Sequence, residues 1–378
     1  MKEPVNFDCR HFKGHMPCRP HKETGVHCSA CSHYDPIDFR ILIVKLDAIG
    51  DVLRTSAILP GLRGKYPNSH ITWITAPASL PLFKGNRLVD RVVDAEKAVG
   101  VLLTEEYDLV INLDAAGPSA QLASLAESRK KLGYVLSSAG QVTPVNEEAE
   151  HWFLMGIFDD LKKANRETYQ QIMFKIIGLR YTGQPMQLEL DESEKRFASD
   201  FARNHGIGQE DPVIGISTGA GARWEKKKWT EDGFVQLIGR IRKEMPKARI
   251  LLLGGPDECS RNRRLMLECG QDLIDTGCDN PLREFISLIS LCDLVVTGDT
   301  LPMHLALALG KKTVVLVGPT SPWELEMYGR GAVVTSDREC ICCYLNSCSV
   351  QPDCMESIEP DQVLESIKEL LGYAGRDS

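Results

Sequence analysis

Residues 39–67, FRILIVKLDAIGDVLRTSAILPGLRGKYP, decide how the rest of the chain is read. The run FRILIVKL lacks the in-out alternation of a half-exposed strand and reads as a parallel strand buried on both faces. Gly50 permits a tight turn, and the residues after it take a helical spacing. Strand, turn and helix in that order open a βα unit. Further apolar runs follow: HITWITA from residue 70, VVD from 92 and YDLVINLD from 107, separated by stretches such as SAQLASLAESRK (119–130), read as helical. The first half is expected to be a parallel sheet sandwiched by helices.

Residues 145–180, including HWFLMGIFDDL and TYQQIMFKIIGL, form an amphipathic region read as helices that close this first domain. A polar run to Gln209 then contains the helix-like ESEKRFASDFARNHG and ends at Asp-Pro, a good linker signal. Beyond it the pattern restarts: PVIGIST, ARILLLGG, DLVVTGD and KTVVLVG read as strands, with GFVQLIGRIRKEMP, PLREFISLISLC and MHLALALG as helices between them. The fold class is α/β with two doubly wound domains. The boundaries read as a Cys-rich extension over 1–36, an N-terminal domain over 37–182, a linker over 183–210, a second domain over 211–358, and a final helix and tail over 359–378. The side on which that last helix packs is left open by the sequence.

At 378 residues the chain exceeds one ordinary core and suits two domains. A net charge of −8 gives no electrostatic reason to bind nucleic acid. No run approaches the roughly 18 apolar residues of a spanning helix. The opening residues lack the apolar core of a secretory signal, so a cytoplasmic location is expected.

Three segments could carry chemistry. In KLDAIGDVLRT, Asp51 falls near a helix N-terminus with Lys45, Asp47 and Gly50 before it. Its carboxylate is either a cap on backbone amides or a base facing a ligand. The glycine spacing is not the dinucleotide fingerprint, which speaks against a nicotinamide cofactor. In STGAGARWEKKKW, from Ser217 to Trp229, small residues leave backbone N–H groups exposed and Lys227 adds positive charge, a common way to hold a diphosphate. The plain alternative for the lysine run is a solvated loop. In VVTGDTLPMHLALALGKKTVVLVGPTSP, Asp299 and Thr300 end a strand before an apolar helix, whose N-terminus attracts anions. His304 lies one turn on from Thr300, as a packing residue or a ligand contact. The loop from Gly318 through Thr320 to Pro322 is expected to rim the same site.

As an ordered set these segments resemble the glycosyltransferase family of lipopolysaccharide heptosyltransferases, over about residues 40–370. The resemblance implies two Rossmann-like domains facing across a cleft, the GT-B arrangement. The family's K…GD pattern is matched by Lys45, Gly50 and Asp51, which implies Asp51 as general base on the acceptor hydroxyl. Its lysine two positions before a tryptophan is matched by Lys227 and Trp229, implying Lys227 on the donor phosphates. The D-[ST]-G-P-M-H segment is matched by Asp299, Thr300, Pro302, Met303 and His304, and the FGPT-like segment by Gly318, Pro319 and Thr320. Leu301 departs from the pattern where the family has glycine. A Cβ there narrows the space beside the diphosphate or alters the backbone angles.

The implied activity is inverting, metal-independent transfer of a heptose or related sugar from a nucleoside-diphosphate sugar to a saccharide or lipid-linked saccharide, as in lipopolysaccharide synthesis. Ser217, Lys227, Asp299, Thr300, Leu301, His304, Gly318 and Thr320 would serve the donor, and Lys45, Asp47 and Gly50 the acceptor side. A glycolipid acceptor would bring the protein to the inner face of the membrane, where Trp73, Phe83 and Trp152 are available aromatics, although a place in the core is the plainer reading of each. Two rival readings remain: a nucleotide-sugar epimerase of the same architecture, and a metal-bearing binding protein that has lost transfer.

Thirteen cysteines are concentrated at the two ends. Cys9, Cys18, Cys28 and Cys31, the last two a CxxC pair, suit a closed structural zinc site in a segment with little apolar content. A four-cysteine iron–sulfur cluster and free thiols are the alternatives. This segment resembles an extension present in only some family members. A second cluster, Cys340, Cys343, Cys348 and Cys354, is either another metal site or a thiol-rich loop. Neither cluster offers an open coordination position suited to transfer, and no cofactor is expected for that step.

Overall fold

The buried run that opens the first half forms β1 (Phe39–Val44), paired in parallel with β2 (Ser69–Thr75) on one side and β4 (Glu106–Asn112) on the other. The computed structural model describes residues 4–208, 210–220, 225–270, 273–345 and 347–373. With β3 (Arg91–Asp94), β5 (Glu127–Leu136) and β6 (Val142–Pro144), the first sheet has the order β3-β2-β1-β4-β5-β6 and is parallel except for the β5–β6 pair. Ile41, Leu42, Ile43 and Val44 are fully buried, which explains the unbroken apolar run.

The second sheet contains β7 (Val213–Ser217), β8 (Arg249–Leu253), β9 (Leu273–Asp275), β10 (Leu294–Gly298), β11 (Lys312–Val317) and β12 (Gly331–Thr335). Read from its β9 edge it runs β9-β8-β7-β10-β11-β12, and every pairing is parallel. Each sheet therefore has its first and fourth strands side by side at the centre, the doubly wound order with a switch point between them. Leu237, Ile238 and Ile241 of the helix Glu231–Glu244 belong to the core of the second sheet. The final helix, Pro360–Leu371, joins that same core through Val363, Leu364 and Ile367.

The compact units do not follow the chain in two blocks. One comprises Met1–Asp47, Ala57–His151 and Met173–Arg180; the other comprises Ala48–Ser56, Trp152–Ile172 and Tyr181–Ser378. The helix Ile49–Thr55 and residues 152–172, read as parts of the first domain, thus group with the second sheet. Local bonds account for this: the Tyr169 amide donates to the Glu324 carbonyl at 3.0 Å, and the Thr55 and Tyr169 hydroxyls are 2.7 Å apart.

One other element reading is corrected, and two are resolved. The helix over 119–130 stops at Leu125, and 127–136 is β5. Its charged start, ESRKK, is largely exposed where it pairs with the beginning of β4, so local polarity hides the strand. The helix expected within the polar run before Gln209 is Glu192–Asn204, started by an Asp191–Glu194 capping box. Buried Glu194 pairs with Arg283 at 2.6 and 2.8 Å, so charges that suggest solvent are spent on docking. Trp73 and Phe83 are buried with ring centroids 4.9 Å apart, which removes both as membrane-facing aromatics. Among the described residues no helix is long and apolar enough to cross a membrane.

Candidate active site

The strand ends at the switch point of the second sheet supply the site's framework. Buried Ser217 ends β7, and the chain passes through Thr218, whose hydroxyl donates to Asn262 Oδ1 at 2.7 Å, to Gly219. A Cβ on Gly219 would fall 1.9 Å from Glu258 Oε1, so glycine lets this loop pass close to the carboxylate. Residues 221–224 of the glycine-rich segment lie outside the described residues. The turn Glu225–Lys227 carries Lys227, whose Nζ lies 2.8 Å from Asp299 Oδ2 just past β10. Trp229 anchors that turn: its ring is buried, and its indole N–H donates to the Ile358 carbonyl at 3.0 Å.

Asp299 also accepts from the Thr320 hydroxyl at 3.1 Å. Burial works against its charge, but the Lys227 ammonium holds the carboxyl below its usual range. Thr300 is the N-cap of the helix Leu301–Ala308 yet makes no side-chain cap; its hydroxyl is 3.2 Å from that of Thr297. Leu301 adopts no positive φ. Leu301 lines the cavity that the neighbouring strand-end residues share.

That cavity has a volume of about 600 Å³. Ser217, Lys227, Asp299, Thr300 and Leu301 line it, whereas His304, Gly318 and Thr320 do not. Its further wall comprises Gly254, Gly255, Glu258, Asn280, Leu282 and Phe285, which sequence reading left out. The signal was available in the Gly-Gly that ends ARILLLGG, a second strand exit on the same side of the sheet. Gly318 has a packing role: a Cβ there would lie 2.6 Å from Cys354 Sγ and 2.7 Å from Met355 Sδ.

The helix Ile49–Thr55 brings Asp51 into the same unit. Gly50 sits against His304, since a Cβ on it would fall 2.7 Å from the imidazole Cδ2. Asp51 Oδ1 is 2.8 Å from an Arg54 nitrogen, and the Arg54 guanidinium lies 3.6 Å from the Tyr169 ring centroid. Burial opposes the Arg54 charge, but Asp51, Tyr169, Glu324 and Asp299 together hold its pKa above the ordinary value. Burial pushes the His304 pKa down to about 4, assisted by Arg54, so the ring is neutral at pH 7. Glu324 is displaced upward by burial and accepts from the Tyr344 hydroxyl at 3.3 Å. Arg54 and Glu324 were not singled out in the sequence. Arg54 was legible as a basic residue three positions after Asp51 on a helix, whereas Glu324 has no local signal.

The other expected acceptor-side residues belong to the first unit. Lys45 is buried and ion-paired with Asp114, which also accepts from the Leu46 amide at 2.6 Å, so the pair fixes the end of β1. Asp47 is exposed. In the C-terminal cysteine cluster, Cys340 is exposed, Cys343 and Cys348 are intermediate and Cys354 is buried.

Residues 97–353 match the family described as Glycosyltransferase family 9 (heptosyltransferase). The chain belongs to glycosyltransferase family 9. Lipooligosaccharide heptosyltransferase 2 of Campylobacter jejuni is 35% identical over 109 residues, a stretch spanning 27% of this chain and 31% of that protein. Lipopolysaccharide heptosyltransferase 2 of Escherichia coli K12 is 24% identical over 311 residues, or 75% of this chain and 84% of that one. The crystal structure of a family 9 glycosyltransferase from Veillonella parvula matches with a TM-score of 0.71 at 19% identity, covering 89% of this chain and 98% of that chain. This family 9 member thus has the two parallel-sheet α/β domains of its relatives.

Proposed function

We propose that this family 9 glycosyltransferase transfers a heptose or closely related sugar from a nucleoside-diphosphate donor to a saccharide or lipid-linked saccharide acceptor in lipopolysaccharide synthesis. The observation that carries this reading is the placement of Asp51, Arg54 and His304 in one compact unit with the cavity bearing Lys227 and Thr300. Family membership favours transfer over the epimerase reading.

The donor's diphosphate would lie along Ser217, Gly219 and the Thr300 end of the helix Leu301–Ala308, with Lys227 supplying fixed positive charge. Asp299 would act by holding the Lys227 ammonium in place. Leu282 and Phe285 offer an apolar wall to the nucleoside. In the reaction, the acceptor oxygen attacks the anomeric carbon while the bond from that carbon to the diphosphate oxygen breaks, with inversion. The acceptor proton passes to Asp51, whose carboxylate is positioned by Arg54, and Lys227 stabilises charge growing on the leaving diphosphate. In this scheme protein charges do the work a metal does in other transferases.

Asp51→Asn tests the reading. It keeps the shape and removes the base, so nucleoside-diphosphate release in the presence of acceptor should fall by about 10²–10⁴-fold while donor affinity is retained. A variant with wild-type turnover would remove Asp51 from the reaction.

A further inference from the structure

Residues 4–36 fold without a core of their own. They contain one short helix, Arg19–Thr24, one tight turn, Cys28–Ala30, and an isolated antiparallel bridge between Cys9 and Pro36. Pro20 is the one buried side chain among them, while Phe7 and Met16 are exposed. Segments of fewer than about 40 residues that bury so little apolar surface usually depend on a disulfide or a metal. All four cysteines of this segment are free thiols.

Those four thiols have one place in common. Cys9, Cys18, Cys28 and Cys31 all line a single cavity of about 210 Å³, though they come from four different points of the segment. None is fully exposed. The Cys31 amide donates to the Cys28 carbonyl at 3.4 Å, so the CxxC pair is already bent into a turn that puts two thiols on one side. The backbone bridge holds Cys9 at the other end of the segment, where the Arg10 amide donates to the Asp35 carbonyl and the Ile37 amide to the Asp8 carbonyl, both at 2.8 Å. His21, also on the cavity wall, has Nδ1 3.0 Å from the Val26 carbonyl and is tied to the backbone. Among the described residues no three His, Cys, Asp or Glu side chains converge into a finished ion cage. The four cysteines are instead brought together as lining residues of one cavity.

We propose that Cys9, Cys18, Cys28 and Cys31 bind one structural zinc ion, and that this ion takes the place of a hydrophobic core in the N-terminal segment. Four thiolates form a closed tetrahedral set with no open position, which fits a structural and not a catalytic role. The four protons lost on binding leave to solvent, making occupancy pH-dependent. This proposal is independent of the transfer chemistry.

The test is elemental analysis of the purified full-length chain, with thiol titration. One equivalent of zinc is expected, released by a mercurial reagent. Cys28→Ser with Cys31→Ser should remove it and open residues 4–36 to limited proteolysis, while Cys340→Ser with Cys343→Ser should leave it bound. Cys31→His, which keeps a zinc-competent donor, should retain the metal and guards against reading a misfolded variant as a lost site. Iron with a visible charge-transfer band, zinc lost only in the Cys340/Cys343 variant, or a metal-free protein whose N-terminal thiols all react freely would each overturn the proposal.

Discussion

His304 and Gly50 are in contact, and each constrains the other. A methyl group on Gly50 has no room beside the imidazole, so Gly50→Ala should lower stability by about 1–3 kcal/mol, read as a lower melting temperature. Adding His304→Ala should recover part of that loss, because the clashing ring is gone. The buried imidazole also sets a pH dependence. Its folded pKa is about 4, whereas an unfolded histidine titrates near 6.5, so between these values the unfolded chain binds the extra proton. Stability is therefore fully present above pH 6.5 and is lost as the pH falls toward 4, by on the order of 3 kcal/mol from this group. His304→Gln should flatten that part of the melting-temperature profile; an unchanged slope would mean the ring protonates as easily folded as unfolded.

At the scale of the element, β5 is the strand that local pattern could not find. Its polar first half looks like the continuation of a helix, and what makes it a strand is pairing with β4. Gly133 is where that pairing leaves no room for a side chain: φ is +88°, and a Cβ would lie 1.7 Å from the Asn112 carbonyl oxygen. Gly133→Ala should cost about 2–4 kcal/mol in chemical denaturation, a loss no exposed loop glycine would match. The strands buried on both faces were legible for the opposite reason, since burial writes itself into an apolar run such as 41–44 or 250–253. The short edge strands β6, β9 and β12 leave no such run. The Glu192–Asn204 helix shows a further limit: Asp191 and Glu194 spell a capping box, but nothing local tells that Glu194 will meet Arg283, 89 residues away.

At the scale of the molecule, the repeated pattern of strand and helix announced two doubly wound sheets, and the order of motifs announced the family. What sequence order concealed is that Ala48–Ser56 and residues 152–172 group with the second sheet, so that Asp51 and Arg54 share a unit with Lys227 and Asp299. Five of the eight expected donor residues reach the cavity; of the other three, His304 packs against Gly50, Gly318 against Cys354 and Met355, and Thr320 hydrogen-bonds to Asp299. In the proposed reaction this cavity holds the donor diphosphate through Lys227. Removing Lys227 alone takes the ion partner from the largely buried Asp299 carboxylate, which confuses binding with stability. The decisive measurement is calorimetric affinity for a panel of nucleoside diphosphates in Lys227→Met combined with Asp299→Asn, which removes both charges together. Loss of a charge-assisted contact predicts that the best ligand binds about 10–100-fold more weakly to a protein whose melting temperature stays near that of the wild type. Unchanged affinity in that folded double variant would contradict the assignment of the donor site.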